Sequence, residues 1–282
     1  MKSFKSLLFI IYIITVLPAC KKEKDGPIEE LIIPENPATF KEVSTITLGT
    51  TGAAEISAYD PLTKRLFVVN NAVSSKVDVI DISQLPVISK IQTLDFSSTS
   101  GVANSVAVSN GLLAVALEAT VKTDNGSVAI INTTTLSETK RITVGALPDM
   151  VTFSPDGKYI VTANEGEPNA DYSVDPVGSV SIIDIKNNYS VKTLDFSAFE
   201  SSLTMLKAGG FRVYGLNATM AKDVEPEYVA ISANSKRAWV TLQENNAIAE
   251  IDLSSGAIYQ SFTFGGKRYK PGGECIRRKR QG

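Results

Sequence analysis

The residues of this sequence that could do chemistry are carboxylates and amides. Glu165-Gly166-Glu167-Pro168-Asn169-Ala170-Asp171 sets three carboxylates on one turn-forming stretch, and Asp175 follows in the same polar segment. Glu225 and Glu227 stand just before an apolar run, and Glu244 sits in Gln243-Glu244-Asn245-Asn246. Oxygen donors of this kind suit a hard cation such as calcium, which collects about six to eight of them. The spacing does not follow an EF-hand loop. The sequence has no histidine. That removes the commonest general base and imidazole metal ligand, and with them any Ser–His–Asp or Cys–His mechanism. A formal net charge of -2 gives no nucleic-acid footprint.

The elements that must position these groups are strands. Gly, Ser, Thr, Val, Ile and Asn are plentiful, a composition suited to β-structure with many turns. One phrase recurs four times: an apolar strand, a turn, a second strand, a polar loop and a third strand. Its copies begin at Glu55-Ile56-Ser57-Ala58, Ser105-Val106-Ala107-Val108, Met150-Val151-Thr152-Phe153 and Tyr228-Val229-Ala230-Ile231. Second strands follow at 65–71, 112–118, 159–168 and 238–246, and third strands at 77–82, 127–133, 179–185 and 247–253. Fourth strands fit at 88–94, 139–145, 189–195 and 258–264. The alternation in 77–82 and 179–185 has period two, as half-buried strands require. Ser154-Pro155-Asp156-Gly157 is a tight turn in which Pro fixes φ and Gly accepts a positive one. Radial repetition of such units predicts an all-β fold, a β-propeller with four-stranded antiparallel blades.

In an antiparallel blade successive loops fall on alternate rims. The loop before the first strand therefore shares a rim with the loop after the second. This predicts one acidic, amide-rich mouth carrying Glu55, Asp149, Asn164, Glu165, Glu167, Asp171, Asp175, Glu225, Glu227 and Glu244. Two readings fit these residues: a cation or polar-ligand site, or a set of groups that tie loops down through backbone amides. Asp81, Asp184 and Asp252 end third strands and read as turn or blade-tying residues.

Residues 162–185, 211–232 and 240–253 carry long loop phrases, among them TANEGEPNADYSVDP and VTLQENNAIAEIDL. Through them residues 43–264 resemble YVTN-type and WD-like repeats, and more specifically the choice-of-anchor I family. Those are secreted or surface-anchored bacterial propellers akin to mesenchyme-specific cell-surface glycoproteins, and some relatives carry an alkaline-phosphatase label. The family is longer and has more blades. The resemblance therefore implies a truncated propeller, with about four to five blades present and unpaired blade edges.

The ends of the chain differ from its body. Lys2 and Lys5 precede an apolar run from Leu7 to Leu17, too short to span a bilayer comfortably, and Leu17-Pro18-Ala19-Cys20 resembles a bacterial lipobox. Residues 1–20 read as a lipoprotein signal peptide with Cys20 as the lipidation site, and 21–42 as a flexible tether. This predicts localisation at the cell envelope, anchored to a membrane by acyl chains. Residues 265–282 are basic and Gly-rich. They read as an aberrant tail from a frameshift, because a one-base shift of plausible codons restores an acidic propeller-like loop. Cys20 and Cys275 suggest no disulfide.

The expected function is a non-catalytic envelope scaffold that meets a surface protein, a glycan or an ion such as calcium through the acidic rim. The alternative is a calcium-dependent, phytase-like phosphoesterase using the same carboxylates, with Arg212 and Lys222 as the rim cations that could meet phosphate. A quinoprotein-like dehydrogenase would need a cofactor-stacking motif, and the sequence has a single tryptophan, Trp239.

Overall fold

The computed structural model describes residues 36–51, 53–215, 218–263, 268–269 and 275–276. The chain divides into two units, Met1–Lys41 and Glu42–Gly282. In the first unit a 3-10 turn, Pro37–Thr39, starts at Asn36, whose side chain accepts the Ala38 N–H at 3.1 Å. The expected signal peptide, its Cys20 and the tether up to residue 35 lie outside the described residues.

The second unit holds four antiparallel four-stranded sheets, each built from consecutive strands. Blade 1 is β1 (Ser57–Asp60), β2 (Arg65–Asn70), β3 (Lys76–Gln84) and β4 (Val87–Asp95). Blade 2 is β5 (Ala103–Ser109), β6 (Leu112–Leu117), β7 (Asn125–Asn132) and β8 (Glu138–Ala146). Blade 3 is β9 (Pro148–Phe153), β10 (Tyr159–Asn164), β11 (Ser179–Asp184) and β12 (Ser190–Asp195). Between blades 3 and 4 run a 3-10 segment, Ser197–Ser202, and two short helices, α1 (Leu203–Gly209) and α2 (Met220–Asp223). Blade 4 is β13 (Pro226–Ile231), β14 (Arg237–Leu242), β15 (Ala247–Asp252) and β16 (Ala257–Thr263). A two-stranded ladder pairs β17 (Arg268–Tyr269) with β18 (Cys275–Ile276). The rest of the expected basic tail lies outside the described residues. Among the described residues no helix is long and apolar enough to cross a membrane.

The blades pack face to face, so the middle strands of blades 2 and 3 are buried on both sides and read as near-continuous apolar runs, whereas those of blade 4 alternate buried with more exposed residues. Phe67, Val69, Val77 and Val79 of blade 1 meet Val106, Leu113, Val115 and Leu117 of blade 2. Ala114, Ala116, Val128 and Ile130 on the other side of blade 2 meet Val151, Ile160 and Ile183 of blade 3. Blade 3 meets blade 4 through Val161, Ala163, Val180 and Ile182 against Val229, Ala238, Val240 and Ile251. The insertion between blades 3 and 4 adds a smaller cluster, in which Phe196, Phe211, Met220 and Val224 cover Leu242, Ala247 and Ala249.

Two segments read as strand are loop. Residues 165–168 leave β10 because Gly166 turns with φ 70°. Residues 243–246 form a tight turn that Asn246 closes at φ 55°. The Ser154 turn forms as its sequence directs. Gly157 sits at φ 66° and donates to the Ser154 carbonyl at 2.8 Å, while Ser154 Oγ donates to Asp156 at 2.6 Å.

Candidate functional site at the mouth of the blades

Ladder register places the functional side chains in two rows. Ser57, Val106, Val151 and Val229 occupy one register, opposite Val68, Val115, Thr162 and Val240. Two residues upstream of each stand Glu55, Asn104, Asp149 and Glu227. One residue past the second strand, the same register puts Asn71, Glu118, Glu165 and Gln243 in equivalent positions. Backbone bonds tie the two rows to one rim: Glu118 N–H donates to the Val102 carbonyl at 2.9 Å, and Glu165 N–H to the Leu147 carbonyl at 2.9 Å.

Glu55, Asn71, Asn104, Asp149 and Tyr228 share the wall of a cleft of about 440 Å³, floored by Val106 and Val151. Asn104 Nδ2 donates to Glu118 Oε1 at 3.1 Å and to the Pro148 carbonyl at 3.2 Å. Asn71 Nδ2 donates to the Ala103 carbonyl at 2.8 Å, and its buried Oδ1 meets no donor.

Beside the cleft the carboxylates crowd. Burial first, then the charges of Asp149, Glu167, Glu227 and Glu225, push Glu165 up to about 8. Burial, then Glu244 and Glu167, raise Glu225 to about 7. Burial and Glu244 do the same for Glu227, to about 7. Asp149 is raised by burial and by Glu167, and Glu118 mainly by burial. Desolvation penalises each charged form, and each neighbour of like sign penalises it again. One cation answers directly: Lys122 forms an ion pair with Glu167, which raises its own proton affinity. Glu244 Oε2 is buried without a hydrogen-bond donor.

A strap carries part of this cluster. Gly178 N–H donates to the Ala221 carbonyl at 3.1 Å, and Lys222 lies 3.9 Å from Asp175. Asp175 thereby faces Glu225, adding its charge there. Asp223 adds another while accepting N–H bonds from Tyr214 at 2.8 Å and Gly215 at 2.6 Å.

The structure thus brings Asp149, Glu165, Glu167, Glu225, Glu227 and Glu244 into one patch, with Glu55 on the cleft wall beside Asp149 and Asp175 at its margin. Asp171 stands apart, accepting bonds from Ser173 N at 3.1 Å and Oγ at 2.7 Å in an exposed turn. Asn164 is fully buried inside blade 3. It donates to Ser179 Oγ at 3.2 Å and Ser181 Oγ at 3.0 Å and accepts from Thr162 Oγ1 at 2.8 Å, so it ties strands together. Asp81, Asp184 and Asp252 all cap their own turns, as in the Asp252 bonds from Ser254 N at 3.0 Å and Ser255 N at 2.9 Å. Sequence reasoning missed Asn71, Asn104, Lys122, Asp223 and Tyr228. The signal for Asn104 was present: shifting the first copy by one residue aligns it with Glu55, Asp149 and Glu227.

Among the described residues no three Asp, Glu or Cys side chains converge closely enough to hold one metal ion.

Residues 55–274 match the family described as Choice-of-anchor I domain. No curated protein matches the chain. A solved structure with partial likeness is Kuenenia stuttgartiensis hydrazine synthase, at 19% identity and a TM-score of 0.43 over 71% of this chain. This chain spans 65% of that chain's length.

Proposed function

The chain belongs to the choice-of-anchor I domain family, and from that premise we propose that it is a non-catalytic propeller scaffold that binds a partner bearing several Lys or Arg groups through its acidic mouth. One observation carries this reading: burial, and then the crowding of other carboxylates around them, make Glu165, Glu225 and Glu227 hold their protons up to about 8, 7 and 7. A cationic ligand relieves that repulsion and draws the groups into their charged form. Asn71, Asn104 and Tyr228 add polar and aromatic surface on the cleft wall beside it. Export and lipid attachment at Cys20 complete the proposal and rest on the sequence of residues 1–20.

The test is titration of the purified chain with a fluorescent lysine-rich peptide at low and high salt. Binding that weakens with salt and is lost in a Glu165→Gln/Glu227→Gln variant supports the scaffold. Absence of binding, or binding indifferent to both substitutions, overturns it. Calcium-dependent hydrolysis of a phosphomonoester, abolished by Glu165→Gln, would replace it with the phosphoesterase reading.

A further inference from the structure

The loops between second and third strands carry Glu118, Glu165 and Glu244 to the mouth. They also carry side chains that an acidic surface does not need. Val73 in the blade 1 loop is 90% exposed, Val121 in the blade 2 loop 57% and Tyr172 in the blade 3 loop 70%. Scattered exposed apolar residues are ordinary on a protein surface. Here they recur in the same loop of three successive blades. Among the described residues the turns of the opposite rim expose large apolar side chains only in blade 1, at Leu62 and Leu85.

Blade 4 reaches the same result by another route. Its loop, residues 243–246, is short and bears no such side chain. Instead the insertion before the blade is fastened to it. Buried Asn245 donates from Nδ2 to the Arg212 carbonyl at 3.1 Å and to the Asp223 carbonyl at 2.8 Å, and Arg212 N–H donates to the Asn245 carbonyl at 3.0 Å. Two residues on, Tyr214 is 67% exposed and its N–H donates to Asp223 Oδ1 at 2.8 Å.

These tips are held in place by their own loops. In blade 3 Tyr172 N–H donates to the Asn169 carbonyl at 3.0 Å, Asn169 N–H to the Val174 carbonyl at 3.0 Å, and Val174 N–H to Asn169 Oδ1 at 3.0 Å. The turn keeps Tyr172 at φ 57°, a conformation uncommon for a bulky side chain. In blade 2 Asp124 N–H donates to the Val121 carbonyl at 2.9 Å, and the next residue, Lys122, is paired with Glu167. In blade 1 Ala72 N–H donates to Asn70 Oδ1 at 3.2 Å just before Val73.

The charge beside the tips is mostly of one sign. Lys122 and Lys222 are already paired with Glu167 and Asp175, which leaves exposed Arg212 against Asp149, Glu165, Glu225, Glu227 and Glu244. An anionic lipid surface would meet like charge here, whereas a basic protein segment complements it.

We propose that the mouth docks an amphipathic basic segment of a partner protein, whose Lys or Arg groups meet the carboxylates while its apolar side chains seat on Val73, Val121, Tyr172 and Tyr214. This deepens the cationic-partner reading and rests on it. The carboxylates steer and orient the segment. The tips supply apolar area whose burial slows its release.

The experiment titrates the full chain with two fluorescent peptides of equal length and lysine number, one of Lys and Leu and one of Lys and Ser, at concentrations where both are monomeric. The parent binds the leucine peptide at least about tenfold more tightly than the serine peptide. In a Val73→Ser/Tyr172→Ser/Tyr214→Ser variant that preference falls to about twofold or less, while the serine peptide binds as before. Leu62→Ser, on the opposite rim, leaves the preference intact. All of these side chains are exposed, so the substitutions leave the core untouched. Equal affinity of the parent for both peptides overturns the proposal and leaves the cationic-partner reading standing, whereas failure to bind either peptide overturns both. A preference that survives the triple variant, or that Leu62→Ser also removes, overturns the proposal as well. So does binding to phosphatidylcholine vesicles that the triple variant loses, which would assign the tips to a lipid surface.

Discussion

Glu227, in the first strand of blade 4, adds its charge to Glu165 in the loop after the second strand of blade 3, where burial first, then Asp149, Glu167 and Glu227, hold Glu165 protonated up to about 8. The two come together through the stacking of one blade on the next. Their crowding makes both the stability of the fold and its affinity for cations depend on pH.

Stability of the free protein falls as pH rises from about 5 to 8. Proton counting gives the sign. Glu165, Glu225 and Glu227 bind protons in the folded chain up to about 7 or 8, whereas an unfolded Glu loses its proton near 4.5. Within that window the folded state holds more protons, so each rise in pH favours unfolding. Urea denaturation at pH 5.5 and 8.5 measures this directly, and equal stability at the two values would contradict it.

Glu165→Gln removes the largest share of that slope. The variant is expected to be more stable than the parent at pH 8.5, by on the order of 1–2 kcal/mol once solvent screening of a partly exposed group is allowed for. At pH 5.5, where Glu165 already carries its proton, the two should differ little. The comparison of the two denaturation midpoints is the readout.

Lys122→Ala works the other way. It strips Glu167 of its ion pair and leaves Glu165 and Glu118 with less compensation. We expect a loss of roughly 0.5–1 kcal/mol above pH 7, typical of a largely exposed pair, together with tighter salt-sensitive binding of the lysine-rich peptide. Unchanged peptide affinity would place Lys122 outside the binding surface.

Gly178→Ala should loosen the strap over the mouth. An added methyl would overlap the Val224 carbonyl oxygen and crowd the Glu165 carbonyl. The bond from Gly178 to Ala221 then breaks, with a cost of about 2 kcal/mol or more, and faster proteolytic cleavage within residues 166–177 reports it. Cleavage at the parent's rate would show that the strap accommodates the methyl.

Asn164→Ala and Phe67→Ala separate blade architecture from the mouth. The first leaves Ser179, Ser181 and Thr162 hydroxyls without their amide, for about 1–3 kcal/mol. The second empties the seam between blades 1 and 2, for about 3–5 kcal/mol. Both should lower the melting temperature while leaving peptide affinity at pH 8 intact in the folded fraction, which anisotropy below the transition checks.

The sequence by itself determined the blades. Period-two alternation, a phrase repeated four times and turn residues such as Ser154-Pro155-Asp156-Gly157 act locally, so strand placement was legible to within a few residues. It also determined the shared rim, because antiparallel order alone puts the loops carrying Glu165 and Glu244 at one end. Only the tertiary structure decided which rim residues meet. Asn164 looks the same in sequence as a mouth residue but turns into the blade, since side chains alternate faces and one step of register selects the interior. Asp171 follows Glu165 closely yet caps its own turn, because a loop that leaves the sheet no longer carries its neighbours toward the axis. The upward push on Glu165 belongs to the same class. It arises first from burial and then from the charges of Asp149 and Glu167 in its own blade and of Glu227 and Glu225 in the next, and both depend on packing that local sequence does not encode.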